Sequence, residues 1–216
     1  MERYPSCKGL SALCLSVIAF SFASSASAVV ISEVLYDASG GDTGNVFIEL
    51  YGSPGTALSG WSLQGVNGGD GNVYRTVMLS GVIPDDGVFV VADDAGGATT
   101  NIANADLVLA VDLQNSPDSV QLYNGDVLVD ALGYGDFTGL FFAGEGDAAP
   151  DVSAGSSLAR IDALLDTNNN LADFMVLASP TPGMVPMSAV PLPASLYLFG
   201  SGLSLLSALR KRRLGG

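Results

Sequence analysis

The chain has 216 residues, with 8 basic and 22 acidic side chains, no histidine and two cysteines. Without histidine there is no Ser-His-Asp or Cys-His catalysis and no imidazole-held zinc. Between the two ends, from Val29 to Val190, only Arg75 and Arg160 face 21 carboxylates (22 minus Glu2), a formal charge of 2 − 21 = −19, which argues against nucleic-acid binding.

In chain order, Arg3 and Lys8 form a short positive region, Leu10 to Phe22 an apolar stretch, and Ala26-Ser27-Ala28 a small-x-small site. This is the pattern of a secretory signal peptide over residues 1–28, cut after Ala28 to leave Val29 first. It implies the Sec translocon and signal peptidase as processing partners. Lipidation is disfavoured, since Leu13 precedes Cys14 and Cys7 lies too near the start. An uncleaved anchor helix is the alternative, and an apolar stretch of about 13 residues is short for a bilayer. The body after Ala28 contains no cysteine, so no disulfide staples it and its stability must come from a core.

From Val29 to Val190 glycine is twice as frequent as usual, and short runs rich in β-branched and aromatic residues recur between turn signals. Strands are predicted over Val29–Tyr36, Val46–Tyr51, Trp61–Val66, Val73–Leu79, Val88–Ala92, Leu107–Leu113, Ser119–Tyr123, Val127–Tyr134, Ser157–Ile161 and Phe174–Leu177. Asn124-Gly125 between two of them predicts a hairpin with a type I′ turn. Pro54-Gly55 suits a type II turn, and Pro84-Asp85-Asp86-Gly87 a turn into the strand at Val88. In the second strand Val46, Ile48 and Leu50 should share one face, Phe47 and Glu49 the other. Many short antiparallel strands at this spacing predict an all-β sandwich. Asp136 to Gly155 has no strong period and reads as a long loop. Gly65 to Gly71 lacks the lysine and Ser/Thr of a phosphate loop and reads as a hairpin loop.

Most of the acids fall in predicted turns, where Asp hydrogen-bonds its own backbone. Glu33 and Glu49 instead sit within strands, where a buried acid needs a partner, and Arg160 is one of two cations available. A structural Glu–Arg pair is the expectation there; a catalytic carboxylate pair is the competing one. Asp166-x-Asn168-x-Asn170, with Asp173 three residues on, alternates oxygen donors as the first half of an EF-hand loop does. Leu171 and Leu177 stand where that loop needs glycine and glutamate, which leaves two readings: a calcium site of other geometry, or an Asx-rich turn closed on its own backbone. Trp61, the sole tryptophan, is expected in the core rather than stacked on a sugar.

Ile31-Ser32-Glu33-Val34, Phe47-Ile48-Glu49-Leu50, Leu58 to Leu63, Ser119 to Tyr123, Val129 to Tyr134, Ser157 to Arg160, Asp166 to Asn170 with Asp173-Phe174, and Ser179-Pro180-Thr181-Pro182-Gly183 follow one another in an order that resembles the bacterial lamin tail domain. The resemblance implies an immunoglobulin-like β-sandwich over residues 29–183, in a secreted or surface protein, and no activity of its own.

Residues 184–190 read as a linker. Leu192 to Leu209 is uncharged over 18 residues, which at 1.5 Å per residue gives ~27 Å, close to the ~30 Å hydrocarbon core. Arg210, Lys211, Arg212 and Arg213 follow, a basic stop that keeps that end cytoplasmic. Val190-Pro191-Leu192-Pro193-Ala194, the apolar helix and the basic cluster together resemble the PEP-CTERM sorting signal of Gram-negative bacteria over residues 190–213, with Leu192 where the family's namesake motif has glutamate. The resemblance implies an exosortase as processing protease, transient tethering in the inner membrane, and then a place on the cell surface or in an exopolysaccharide-rich extracellular matrix. A plain anchor that is never cut is the alternative. The expected function is therefore that of an exported non-enzymatic surface protein. Its rivals are a calcium-stabilised adhesion module and a secreted polysaccharide or phosphoester hydrolase.

Overall fold

The computed structural model describes residues 29–184. The expected signal peptide with Ala26 and Ala28, the expected sorting motif, the helix predicted after it and the expected basic stop lie outside the described residues, as does the expected linker beyond Met184. Among the described residues no helix is long and apolar enough to cross a membrane.

All ten predicted strands are present: β1 (Val30–Leu35), β2 (Phe47–Tyr51), β3 (Trp61–Asn67), β4 (Val73–Met78), β5 (Val88–Asp93), β6 (Leu107–Leu109), β7 (Asp118–Asn124), β8 (Val127–Tyr134), β9 (Ser157–Arg160) and β10 (Phe174–Leu177), with a one-turn helix α1 (Asn170–Asp173) before the last. They form a six-stranded sheet in the order β10-β9-β1-β2-β5-β6 and a four-stranded sheet in the order β4-β3-β7-β8. Every pairing is antiparallel except β5 with β6. The architecture is an all-β sandwich, as expected. Ile31, Leu50, Trp61, Leu63, Val91, Val120, Leu132 and Leu158 fill the space between the sheets. Trp61 is thus in the core.

Three details differ from the sequence expectation, each for a local reason. β6 stops at Leu109 rather than Leu113, because the Asp93 carboxylate Oδ1 takes the N–H groups of Val111 and Asp112 at 3.0 and 3.1 Å and draws them off the ladder. The β7–β8 loop is Gly125-Asp126, one residue later than Asn124-Gly125, with Asn124 paired to Val127. Only Gly125 has positive φ, at 59°, which is the type II′ pattern rather than I′. In β2, Ile48 and Leu50 enter the core while Phe47 turns outward, but Val46 precedes the strand and joins Phe47 instead of Ile48.

The outer face of the six-stranded sheet is also covered. Leu35, Val46, Phe47, Val88 and Val90 form a second cluster there, against which Ile102 and Tyr51 pack. A strand buried on both faces reads as a continuous apolar run, and all six residues of β1 and of β5 are buried. Ser32, Glu33 and Glu49 are therefore sealed inside as well, at 0 % exposure.

Candidate functional site

The strongest concentration of charge lies at one end of the sandwich, where β8, β9 and the segment around α1 meet. Asp130 lies on β8 in phase with Leu132 and Tyr134, both core residues, so its carboxylate points inward. Arg160, on β9 in phase with Leu158, reaches it from the other sheet. Arg160 Nη2 donates to both Asp130 oxygens at 3.0 Å, and the Ile31 N–H donates to Asp130 Oδ2 at 2.6 Å. Arg160 Nη1 donates to Asp173 Oδ2 at 3.3 Å and to Asp166 Oδ1 at 3.4 Å, and its Nε to the Ile31 carbonyl at 3.1 Å. The guanidinium lies over the Phe174 ring, 4.7 Å from the centroid. A charge 1 % exposed is tolerable only when its donors are satisfied, and here Nε, Nη1 and Nη2 all are.

The four residues expected as calcium ligands go to different tasks. Asp166 and Asp173 converge on Arg160 Nη1. Asp166 Oδ1 also takes the Asn168 N–H at 3.1 Å, an Asx turn, with Asn168 at a φ of 54°. Asp173 takes the Thr167 N–H and hydroxyl at 2.9 and 2.6 Å. Asn170 turns away to β8: its Oδ1 accepts from Gly133 N–H at 2.8 Å and Glu145 N–H at 2.9 Å, and its Nδ2 donates to the Ala131 carbonyl at 2.8 Å. This side chain stitches α1 and the Asp136–Gly155 loop to the sheet edge. Gly144 permits the approach, since a Cβ there would lie 2.4 Å from the Gly133 nitrogen.

A carboxylate set that sequence reasoning did not assemble is also present. Oxygen atoms of Asp130, Glu145 and Asp166 lie within 4.8 Å of one another. Burial first, then the charges of Asp130 and Asp166, push Glu145 up to about 7, and its Oε2 is buried with no hydrogen-bond partner. The cation these acids need is already supplied by Arg160. Calcium and chelator are accordingly expected to give the same melting temperature; a rise of several degrees in excess calcium would overturn that expectation. The signal for the Arg160 cluster was present in the sequence, as an aspartate at a core-phased strand position.

The expected Glu–Arg pair is absent: the ion pairs of Arg160 are all with aspartates, and its other hydrogen bonds go to the Ile31 and Leu165 carbonyls. Glu33 and Glu49 lie on the other face, adjacent across the β1–β2 ladder. Ser157 donates its hydroxyl to Glu33 Oε1 at 2.5 Å, and Ser32 donates its hydroxyl to Glu49 Oε1 at 2.7 Å. Burial pushes Glu49 up to about 7. As a candidate catalytic pair these two carboxyls are closed to solvent.

The lamin tail domain model matches residues 23–136, more than half of the chain. The chain belongs to the lamin tail domain family. A search of curated proteins returned no match. The matched span of this lamin tail domain holds β1 to β8. β9, α1, β10 and Ser179–Gly183 lie beyond it, yet β9 pairs with β1 and completes the same sheet.

Proposed function

We propose that this lamin tail domain protein is an exported, non-enzymatic component of the cell surface or extracellular matrix, delivered by a removable C-terminal tether that an exosortase cuts. The proposed order of events is export with loss of residues 1–28, retention by Leu192–Leu209 in the inner membrane, then proteolysis near Val190–Ala194. The observation that carries this reading is the order of three unlike elements within 24 residues, 190 to 213: a Pro-containing motif, an apolar span and a basic stop. The excess of acids keeps a released body soluble and repels it from anionic surfaces. The Arg160 cluster and the sealed Glu33 and Glu49 use their polar groups internally, which favours a scaffold over a hydrolase.

Intact mass of the protein recovered from its native host tests this directly. The expected species begins at Val29 and ends near Val190–Ala194, plus the mass of any covalent addition. Mature material that still ends at Gly216, from a host with an active exosortase, reduces the tail to a permanent anchor.

A further inference from the structure

The chain from Ser179 to Met184 crosses the outer face of the six-stranded sheet, above Glu33 and Glu49. Its sequence explains how it is held. Pro180 and Pro182 have no N–H, so the segment cannot join a ladder as a strand, and each proline keeps the residue before it extended. From Thr181 the chain turns about Pro182 and Gly183, with Gly183 at a φ of 82° and the Met184 N–H on the Thr181 carbonyl at 3.0 Å, and this turn sets the direction of its N–H groups. Those of Thr181 and Gly183 point down: Thr181 N–H donates to Glu33 Oε1 at 2.9 Å, the Thr181 hydroxyl to Glu33 Oε2 at 2.8 Å, and Gly183 N–H to Glu49 Oε2 at 2.7 Å. Asn104 Nδ2 holds the Pro182 carbonyl from the side at 2.9 Å.

What faces these carboxyls decides their behaviour. Glu33 faces Glu49 from β1, and Asp86 and Asp106 line the cleft that opens beside Gly183. Ser179 to Met184 contains no titratable side chain. Between residues 29 and 184 the cations are Arg75 and Arg160. Arg75 donates to the Ala110 carbonyl at the β4 edge, and Arg160 is held by aspartates on the inner face. An ionised Glu49 under this segment therefore lies beside a second glutamate, closed to solvent and without a counter-charge among the described residues.

We propose that Ser179–Met184 is a pH-sensitive latch, docked on Glu33 and Glu49 under acidic conditions and loosened as the pH rises through neutrality. Undocking lets water reach the Glu49 carboxylate, and docking drives that water out. The proton equilibrium agrees in sign. Burial raises Glu49 from 4.5 to about 7 although the Ser32, Gly183 and Met184 donors favour its ionised form, so a docked state that shuts out solvent holds the proton more tightly and docking weakens as pH climbs from 4.5 towards 7. With the ordinary 4.5 for the uncovered carboxyl, docking falls by roughly 50- to 100-fold between pH 5 and pH 8. The residues that follow Met184 lead to the sorting motif, so the latch would set how far that motif stands from the domain. That consequence rests on the proposed function; the latch itself does not.

Amide hydrogen exchange on the exported mature chain, corrected for the intrinsic rate at each pH, reads the latch. Protection at Thr181 and Gly183 is expected to drop roughly 50- to 100-fold from pH 5 to pH 8, while Gly133, bonded to Asn170, keeps its protection. Glu49→Gln should flatten the dependence. If that variant loses protection at Gly133 and so fails to fold, Ser32→Ala replaces it: removing a donor that favours the ionised form should move the midpoint to higher pH. Gly183 protection that is constant from pH 5 to pH 8, that falls equally in Glu49→Gln, or whose midpoint ignores Ser32→Ala overturns the latch. None of these outcomes depends on where the mature chain ends, so the sorting account stands or falls separately.

Discussion

The domain is expected to melt about 10 °C higher at pH 5 than at pH 8. Three acids with large upward shifts produce most of the effect, and Asp130 and Asp112, also raised by burial, act in the same direction. Glu49 and Asp118 are both 0 % exposed, and burial moves them from 4.5 to about 7 and from 3.8 to about 6; the half-buried Glu145 also moves from 4.5 to about 7. A carboxyl whose folded value lies above its unfolded one holds a proton that the unfolded chain releases. Stability is then fully present below the ordinary value and declines as pH rises through the window between the two, here 4.5 to 7 for the glutamates and 3.8 to 6 for Asp118. From pH 5 to pH 8, Glu49 accounts for about 2–3 kcal/mol and Asp118 for about 1–2 kcal/mol, with Glu145 adding less because solvent screens it. A loss of ~4 kcal/mol in a domain of this size corresponds to a shift of about 10 °C. Mutual repulsion among the surplus acids acts in the same direction. Asp70 and Asp136 oppose it, since Asn72 and Thr138 hydrogen bonds hold them below the usual range, but both are fully exposed and titrate at lower pH. Calorimetry at constant ionic strength measures the trend, and Glu49→Gln should remove about half of it. A melting temperature that climbs towards pH 8 contradicts the burial argument.

How much of this was readable beforehand divides by the range of the interaction. The strands were legible because each is signalled locally: β-branched runs such as Val88-Phe89-Val90-Val91 bounded by Pro84 to Gly87. The two-sheet sandwich follows from their number and spacing. The double burial of β1 and β2 was not legible, because what covers Glu33 and Glu49 is the Pro180-to-Gly183 segment, more than 130 residues further on. The reading of a Glu–Arg pair failed for the same reason. It correctly required partners for two buried acids, but hydroxyls and backbone N–H groups met the need, and such donors leave no mark in composition. The Asp166–Asp173 pattern shows the opposite limit. Alternating oxygen donors describe a metal loop and an Asx turn equally well, and only the position of Arg160 and the inward turn of Asn170 separate the two.

Replacing Arg160 is expected to be the most damaging single change in the body, because it removes the charge on which three aspartates depend. In Arg160→Met the methionine fills the space beside Phe174, but Asp130 and Asp173 are left buried at 0 % and 3 % exposure with no cation. Breaking a buried pair by removing one partner costs about 3–5 kcal/mol, here a fall of roughly 10–15 °C in melting temperature. Arg160→Lys should recover little of it: one ammonium cannot serve the Ile31 carbonyl, both oxygens of Asp130 and the Asp173 carboxylate together. If stranded charge is the cause, removing the other charge must help, so Asp130→Asn added to Arg160→Met should be more stable than Arg160→Met alone. The amide oxygen still accepts the Ile31 N–H, and the deficit of the single variant should narrow at low pH as the aspartates protonate. A double variant no better than the single one would locate the loss in packing instead. The comparison also bears on the family, because Asp130 lies inside the matched lamin tail span and Arg160 outside it. This ion cluster bridges the two sheets and binds β9 and β10 to the matched strands, so amides of β9 and β10 should lose protection in Arg160→Met before those of β3 and β7 do.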